Sequence, residues 1–368
     1  MLRVPMPRLS AALLLSFAAA HAACTGRPGG SESSLPPVET LVLTPQSSGV
    51  DVLLIAAHAV DAETVWAAGR DGTVLRTTDG GATWARTATP PGADSLQLRD
   101  VHAFDARTAV ALSIGSGDDS RVFRTADGGA TWATAFVNAE PEGFYDCLDF
   151  WDRDRGVLYG DSVDGGLRVL TTADGGRSWT RVPDDRLPAA LPGEGGFAAS
   201  GTCALTGPDA PEGQAWIATG NADPARVLRS TDSGQTWRAA VAPVVGGEAR
   251  GLTSVARDAD GRLVAVGGDI ARPDTSVASV AVSDDGGRTW RAGGRLPFSG
   301  AAYGVAALPE PGGWIAVGPG GVGLSTTGGA SWTLQDDREH WGLAVAGGEG
   351  WLVGPGGRIT HVTLYTSR

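Results

Sequence analysis

Along most of this chain, apolar residues alternate with small or polar ones in short runs, and glycine-rich turns break the runs. One kind of run ends in glycine and recurs seven times: TVWAAG (64–69), TAVALSIG (108–115), GVLYG (156–160), AWIATG (215–220), LVAVGG (263–268), GWIAVG (313–318) and GWLVG (350–354). Some twenty residues or more from the start of each of the first six, a nonamer closes on tryptophan. The nonamers are RTTDGGATW, RTADGGATW, TTADGGRSW, RSTDSGQTW, VSDDGGRTW and LSTTGGASW, ending at Trp84, Trp132, Trp179, Trp237, Trp290 and Trp332. Successive tryptophans are 48, 47, 58, 53 and 42 residues apart. The pattern predicts strands and tight turns throughout.

A period in the forties built from strands is the mark of a β-propeller, with one four-stranded blade per repeat. Seven glycine-ended strands and six nonamers imply an all-β ring of seven blades, the last lacking a strand; six blades is the second choice. Residues 340–365 supply three strands of that last blade. The alternating segment VETLVLTP (38–45) is the expected fourth, which would join the two ends of the chain in one sheet and remove an exposed edge.

The nonamer reads as a structural device. Glycine tolerates positive φ, and the carboxylates of Asp79, Asp127, Asp174, Asp232 and Asp285 can accept hydrogen bonds from turn N–H groups. Each tryptophan is expected to start the outer strand and pack beneath its hairpin. Six equivalent aspartate positions cannot share one active site, and the sixth carries Thr327 in place of aspartate.

These nonamers resemble the Asp-box, or BNR, repeat, S/T-x-D-x-G-x-T/S-W, of sialidases, xyloglucanases, sortilin-type receptors and photosystem II stability/assembly-factor-like propellers. The pairing of a W-x-x-G strand with each box is most similar to the last group. LYGDSVDGG (158–166), GEGGFAASGT (193–202) and ARVLRSTDSGQTW (225–237) resemble its bacterial, non-photosynthetic branch. The resemblance implies the fold over residues 38–366; it says little about function, because the box serves enzymes and binding proteins alike.

The N-terminus changes the picture of where the protein works. Arg3 and Arg8, the apolar AALLLSFAAA (11–20) and the small residues of Ala20-His21-Ala22 make residues 1–23 a secretory signal. In AHAAC, Cys24 stands where a lipoprotein is acylated, and residues 24–37 read as a flexible tether. The expectation is an exported monomer, a periplasmic or outer-membrane lipoprotein or else a secreted protein, touching membrane only through that anchor. Cys147 and Cys203 fall on innermost strands of neighbouring blades, either as a disulfide or as two buried thiols.

Composition then removes several chemistries. The formal net charge of −12 leaves no basic surface for nucleic acid. All 29 basic residues are arginine, so neither a Schiff-base lysine nor a P-loop lysine exists. No zinc pattern or GxSxG elbow occurs, and neither metal nor cofactor is expected. His58 and His102 recur at one position of blades one and two, where blade three has Asp149, which suits inner-strand turns better than metal ligation.

A propeller offers ligands the face where loops leading into the innermost strands meet loops joining second to third strands. Here those loops carry Arg99, Tyr145, Asp146, Asp161, Glu194, Arg250, Tyr303 and His340. Arg99, Tyr145, Asp161, Arg250 and His340 are the candidate ligand-binding residues, and the arginines favour an anionic ligand. Asp146, Glu194 and Tyr303 are the candidate catalytic groups, because glycoside hydrolysis needs paired carboxyls or a tyrosine activated by one. The first functional reading is a non-catalytic binding or assembly platform for a protein or glycan. The alternative is a glycan-active, sialidase-like or other glycoside hydrolase.

Overall fold

The computed structural model describes residues 38–207, 211–309 and 312–366. The expected signal segment, the tether and Cys24 lie outside the described residues. Among the described residues the chain forms seven four-stranded antiparallel sheets, and with the circular order of their contacts these are the seven blades. Six sheets follow chain order. In the seventh the order is Val38–Gln46, Arg358–Thr366, Glu349–Gly354, Gly342–Ala346, so the N-terminal segment is the outermost strand of the last blade. Its register runs from Val38 opposite Thr366 to Gln46 opposite Ile359.

The core lies between blades, where alternate side chains of the middle strands meet. Trp66, Trp216, Trp314 and Trp351, from the glycine-ended strands, are fully buried. Three of them also staple neighbouring blades together. Trp351 Nε1 donates to Gly80 O and Trp216 Nε1 to Gly286 O, each in the next blade's nonamer turn, while Trp66 Nε1 donates to Asp105 O. Stacking thus gives each blade burial that it could not achieve alone.

The nonamer turns are built as the residue types require. Asp79 Oδ1 accepts the Thr83 N–H at 2.9 Å and the Thr77 hydroxyl at 2.7 Å, and Oδ2 accepts the Thr83 hydroxyl at 2.6 Å. The Thr77 hydroxyl oxygen accepts the Gly81 N–H at 2.9 Å, and Gly81 has φ 90°, where a side chain would be strained. Asp127, Asp174, Asp232 and Asp285 repeat the arrangement. These bonds hold the Asp79, Asp127, Asp174 and Asp285 carboxyls down at about 2, and lower Asp232 as well, against some burial that opposes them. In the sixth turn the Thr327 hydroxyl substitutes, accepting the Ser331 N–H at 2.9 Å. Trp132, Trp237 and Trp332 are buried beneath these turns; Trp84, Trp179 and Trp290 are half-buried.

Candidate binding site at the channel mouth

The loops leading into the innermost strands open on the face opposite the nonamer turns. In blades one, two, three and five the innermost strand slips register just after its start, between Leu54 and Ala56, Leu98 and Asp100, Tyr145 and Cys147, and Leu252 and Ser254. A bulge of this kind turns its extra residue out of the ladder. The extra residues of blades two and three are Arg99 and Asp146, and both meet the loop that crosses the axis.

That loop is residues 194–202, EGGFAASGT. Arg99 Nη1 donates to Ala198 O at 2.7 Å, and Gly196 N donates to Asp161 Oδ1 at 3.0 Å. The Ser200 hydroxyl donates to Tyr303 O at 2.7 Å, and the Thr202 and Ser254 hydroxyls are 2.6 Å apart. One short segment therefore touches blades two, three, five and six, which only a position on the axis allows. The cost appears in blade four, whose innermost strand shrinks to Ala204–Leu205. The centre of the mouth is thus filled by the chain's own backbone.

The candidate residues divide around this plug. Arg99 lies with its guanidinium 4.9 Å from the centre of the Trp341 ring, and that ring meets Tyr303 edge to face at 4.9 Å. Trp341 Nε1 donates to Glu339 Oε1 at 2.6 Å. Burial, with Arg70 nearby, lowers Arg99 to about 10, a value at which it stays charged. Burial, reinforced by Glu339, raises Tyr303. These four side chains remain partly exposed and form a cation–aromatic rim.

Asp146 and Asp161 face one another beneath Gly195 and Gly196. Burial is the first cause that raises both carboxyls, and for Asp146 the neighbouring Asp161 adds to it. Asp146 is 2% exposed, and its Oδ2 lacks a hydrogen-bond partner among the described residues. Asp100 is likewise buried and raised, mainly by desolvation, and accepts the Leu148 N–H at 2.6 Å.

The other candidates are engaged with partners of their own. Glu194 is fully buried and paired with Arg226; it also accepts the Thr219 hydroxyl at 2.9 Å and the Leu191 N–H at 2.9 Å. Its carboxylate is thereby fully occupied, because a carboxylate buried in this way must be neutralised and bonded. Tyr145 turns between blades, edge to face with Phe136 at 5.3 Å, and burial raises it to about 12. Arg250 pairs with Asp269 at 2.8 Å. His340 is buried against Asp336, at 3.4 Å, and burial lowers it to about 4.

At the opposite end of the channel, His102 Nδ1 lies 2.9 Å from Asp149 Oδ1, and Asp149 Oδ2 accepts the Thr206 N–H at 2.6 Å. The His58 ring lies 4.3 Å from that of His102, tilted against it, and burial and that neighbour lower His58 to about 3. The repeated position is thus a polar belt linking blades one to four. Among the described residues no group of His, Cys, Asp and Glu is arranged to hold a metal ion. Cys147 and Cys203 form a disulfide that ties the end of the plug to blade three.

The plug, Arg70 and Glu339 escaped the sequence reading. The signal for the plug was present in GEGGFAASGT, a run of small residues where other blades have long polar loops, since such a run lets backbone approach other groups closely.

Residues 97–272, covering blades two to four and the first half of blade five, match the family described as Photosynthesis system II assembly factor YCF48. No curated protein matches the chain. Among solved structures, YCF48 bound to D1 peptide is similar at 16% identity and TM-score 0.59, over 90% of this chain and 100% of that one. YCF48 from Cyanidioschyzon merolae is similar at 14% identity and TM-score 0.60, over 87% and 98%. The GH74 xyloglucanase from Xanthomonas campestris is similar at 18% and 0.60, over 87% of this chain but 53% of the enzyme. Its central blades thus match the YCF48 family model, and the whole ring shares the β-propeller fold of the solved YCF48 structures.

Proposed function

We propose that this protein is a non-catalytic platform that binds a protein partner at the mouth face, through the rim of Arg99, Tyr303, Trp341 and Glu339. The observation that carries the reading is the Arg99–Trp341 contact at 4.9 Å, a charged and aromatic surface left partly exposed beside a filled axis. Such pairs are common at the centres of protein interfaces. That a YCF48 was solved with D1 peptide supports a protein ligand over a glycan. Arg99 and Arg70 suit an acidic or carboxylate-bearing segment.

Glycan hydrolysis is the weaker reading, since Glu194 is consumed by Arg226 and the Asp146–Asp161 pair lies under backbone.

A photo-crosslinking residue in place of Tyr303 tests the platform in cells, with one at Val241, exposed on an outer strand, as the control. The expected result is one discrete adduct from position 303 alone, weakened at least tenfold by Arg99→Ala. Equal labelling at both positions, or indifference to Arg99→Ala, overturns it.

A further inference from the structure

The plug lays the backbone of two glycines directly over two acids. A Cβ on Gly195 would collide with Asp161 Oδ1, and one on Gly196 would stand 2.6 Å from Asp146 Oδ2. The backbone of 195–196 is therefore in direct contact with both carboxyls. Gly195 is held by one antiparallel bridge, donating to Gly220 O at 3.1 Å and accepting the Gly220 N–H at 2.8 Å, and Gly196 N donates to Asp161 Oδ1 at 3.0 Å. Two buried polar atoms close by, Asp146 Oδ2 and Tyr159 Oη, have no partner among the described residues.

We propose that residues 194–202 are a displaceable plug over the axis, latched by a proton that Asp146 and Asp161 share, and that the plug loosens when that proton leaves. The proposal rests on the mouth being the binding face, and it supplies that face with a regulator.

The charges around the pair favour one negative charge and oppose two. Arg99 from blade two faces Asp146 and offsets the first. Tyr159, from blade three's own second strand, faces both acids with its hydroxyl neutral, raised by burial and by Glu194, Asp146 and Asp161. Behind it, Glu194 of the loop is cancelled by Arg226 of blade four. Asp100 of blade two meets the far end of the plug at Gly201, 2.6 Å from where a Cβ would stand, and burial raises it too. Among the described residues no second cation offsets a second carboxylate. Loss of the shared proton to solvent thus leaves two like charges in contact within a poorly solvated space, and moving the glycine backbone away to admit water relieves them.

The test needs no partner. In the oxidised protein, amide hydrogen-exchange protection of 194–202, corrected for intrinsic rates, is followed from pH 5.5 to 8.5. Protection in wild type is expected to fall at least tenfold with rising pH relative to the glycine-ended strands. In Asp161→Asn the amide still accepts the Gly196 N–H and can donate to Asp146, so the fall should vanish. Asp146→Asn, the reciprocal change, serves if that variant does not fold. Constant protection in wild type overturns the latch, as does an equal fall in the folded variant. Crosslinking at position 303 without any plug opening would sink this inference and leave the platform; opening without a partner adduct would do the reverse.

Discussion

Val42 of the first described strand stands opposite Thr363 of the last, and this pairing closes the ring. The contact is more than a ladder of hydrogen bonds, because Leu41 is buried in a cluster with Leu343, Leu352 and Val362 of blade seven and Leu308, Ile315 and Val317 of blade six. Leu41→Ala should cost about 2–5 kcal/mol, as for other buried leucines. Removing 38–46 altogether should expose Arg358–Thr366 as a long open edge and drive aggregation. Urea unfolding of the point variant and light scattering of the truncated one check these outcomes. An unchanged midpoint in Leu41→Ala would show that the strand merely rests on the ring.

The sixth nonamer turn offers a gain-of-function test of the turn chemistry. Ser325, Ser331 and the Gly329 N–H already stand as their counterparts do around the five aspartates. Thr327→Asp should therefore raise the melting temperature at neutral pH. The installed carboxyl should be depressed as Asp285 is, to about 2. Its contribution is then present above the unfolded value near 3.8 and lost as pH falls towards 2. A melting temperature that gained nothing at pH 7, or kept its gain at pH 2, would contradict the hydrogen-bonding account.

Ring, blade number and closure were legible because they repeat: a tryptophan, a glycine-ended strand and a turn, each with a local physical reason. The mouth was legible only as a list of loop residues. Glu194 illustrates the limit, since nothing near it in sequence announces that Arg226, from the next blade's third strand, will neutralise it. Arg99 and Asp146 were expected in the loops before their strands; they lie just inside them, on bulges that are register events invisible in composition. The plug crosses the axis once, so no period reveals it.

Cys147 and Cys203 were left open between a bond and two thiols, and the structure joins them across 56 residues. Closing a loop of that length in the unfolded chain is worth about 4 kcal/mol in the chain-entropy treatment, and measured losses are usually about 2–4. The double variant Cys147→Ser, Cys203→Ser should unfold at correspondingly lower denaturant. Alkylation of unreduced, denatured protein should leave both positions unlabelled. Labelling at both would refute the bond.

His340 and Asp336 set an acid limit on the ring in two steps. The imidazole is fully buried, its Nδ1 without a partner among the described residues, and burial takes it from 6.5 to about 4 despite the Asp336 carboxylate 3.4 Å away. A base depressed by folding stabilises above its unfolded pKa, so this contribution is complete above 6.5 and lost as pH falls through about 4. Its full size is about 3 kcal/mol at most. Asp336 is held at about 2 by Arg338 and His340, which outweigh its own partial burial, so its share is complete above 3.8 and disappears towards 2. The Asp146–Asp161 pair runs the other way: raised acids lose stability as pH climbs above the unfolded value. Denaturation midpoints between pH 7 and 4 should therefore decline more steeply in wild type than in a folded His340→Gln variant, which has nothing to protonate. Identical slopes would show that His340 is not the buried base.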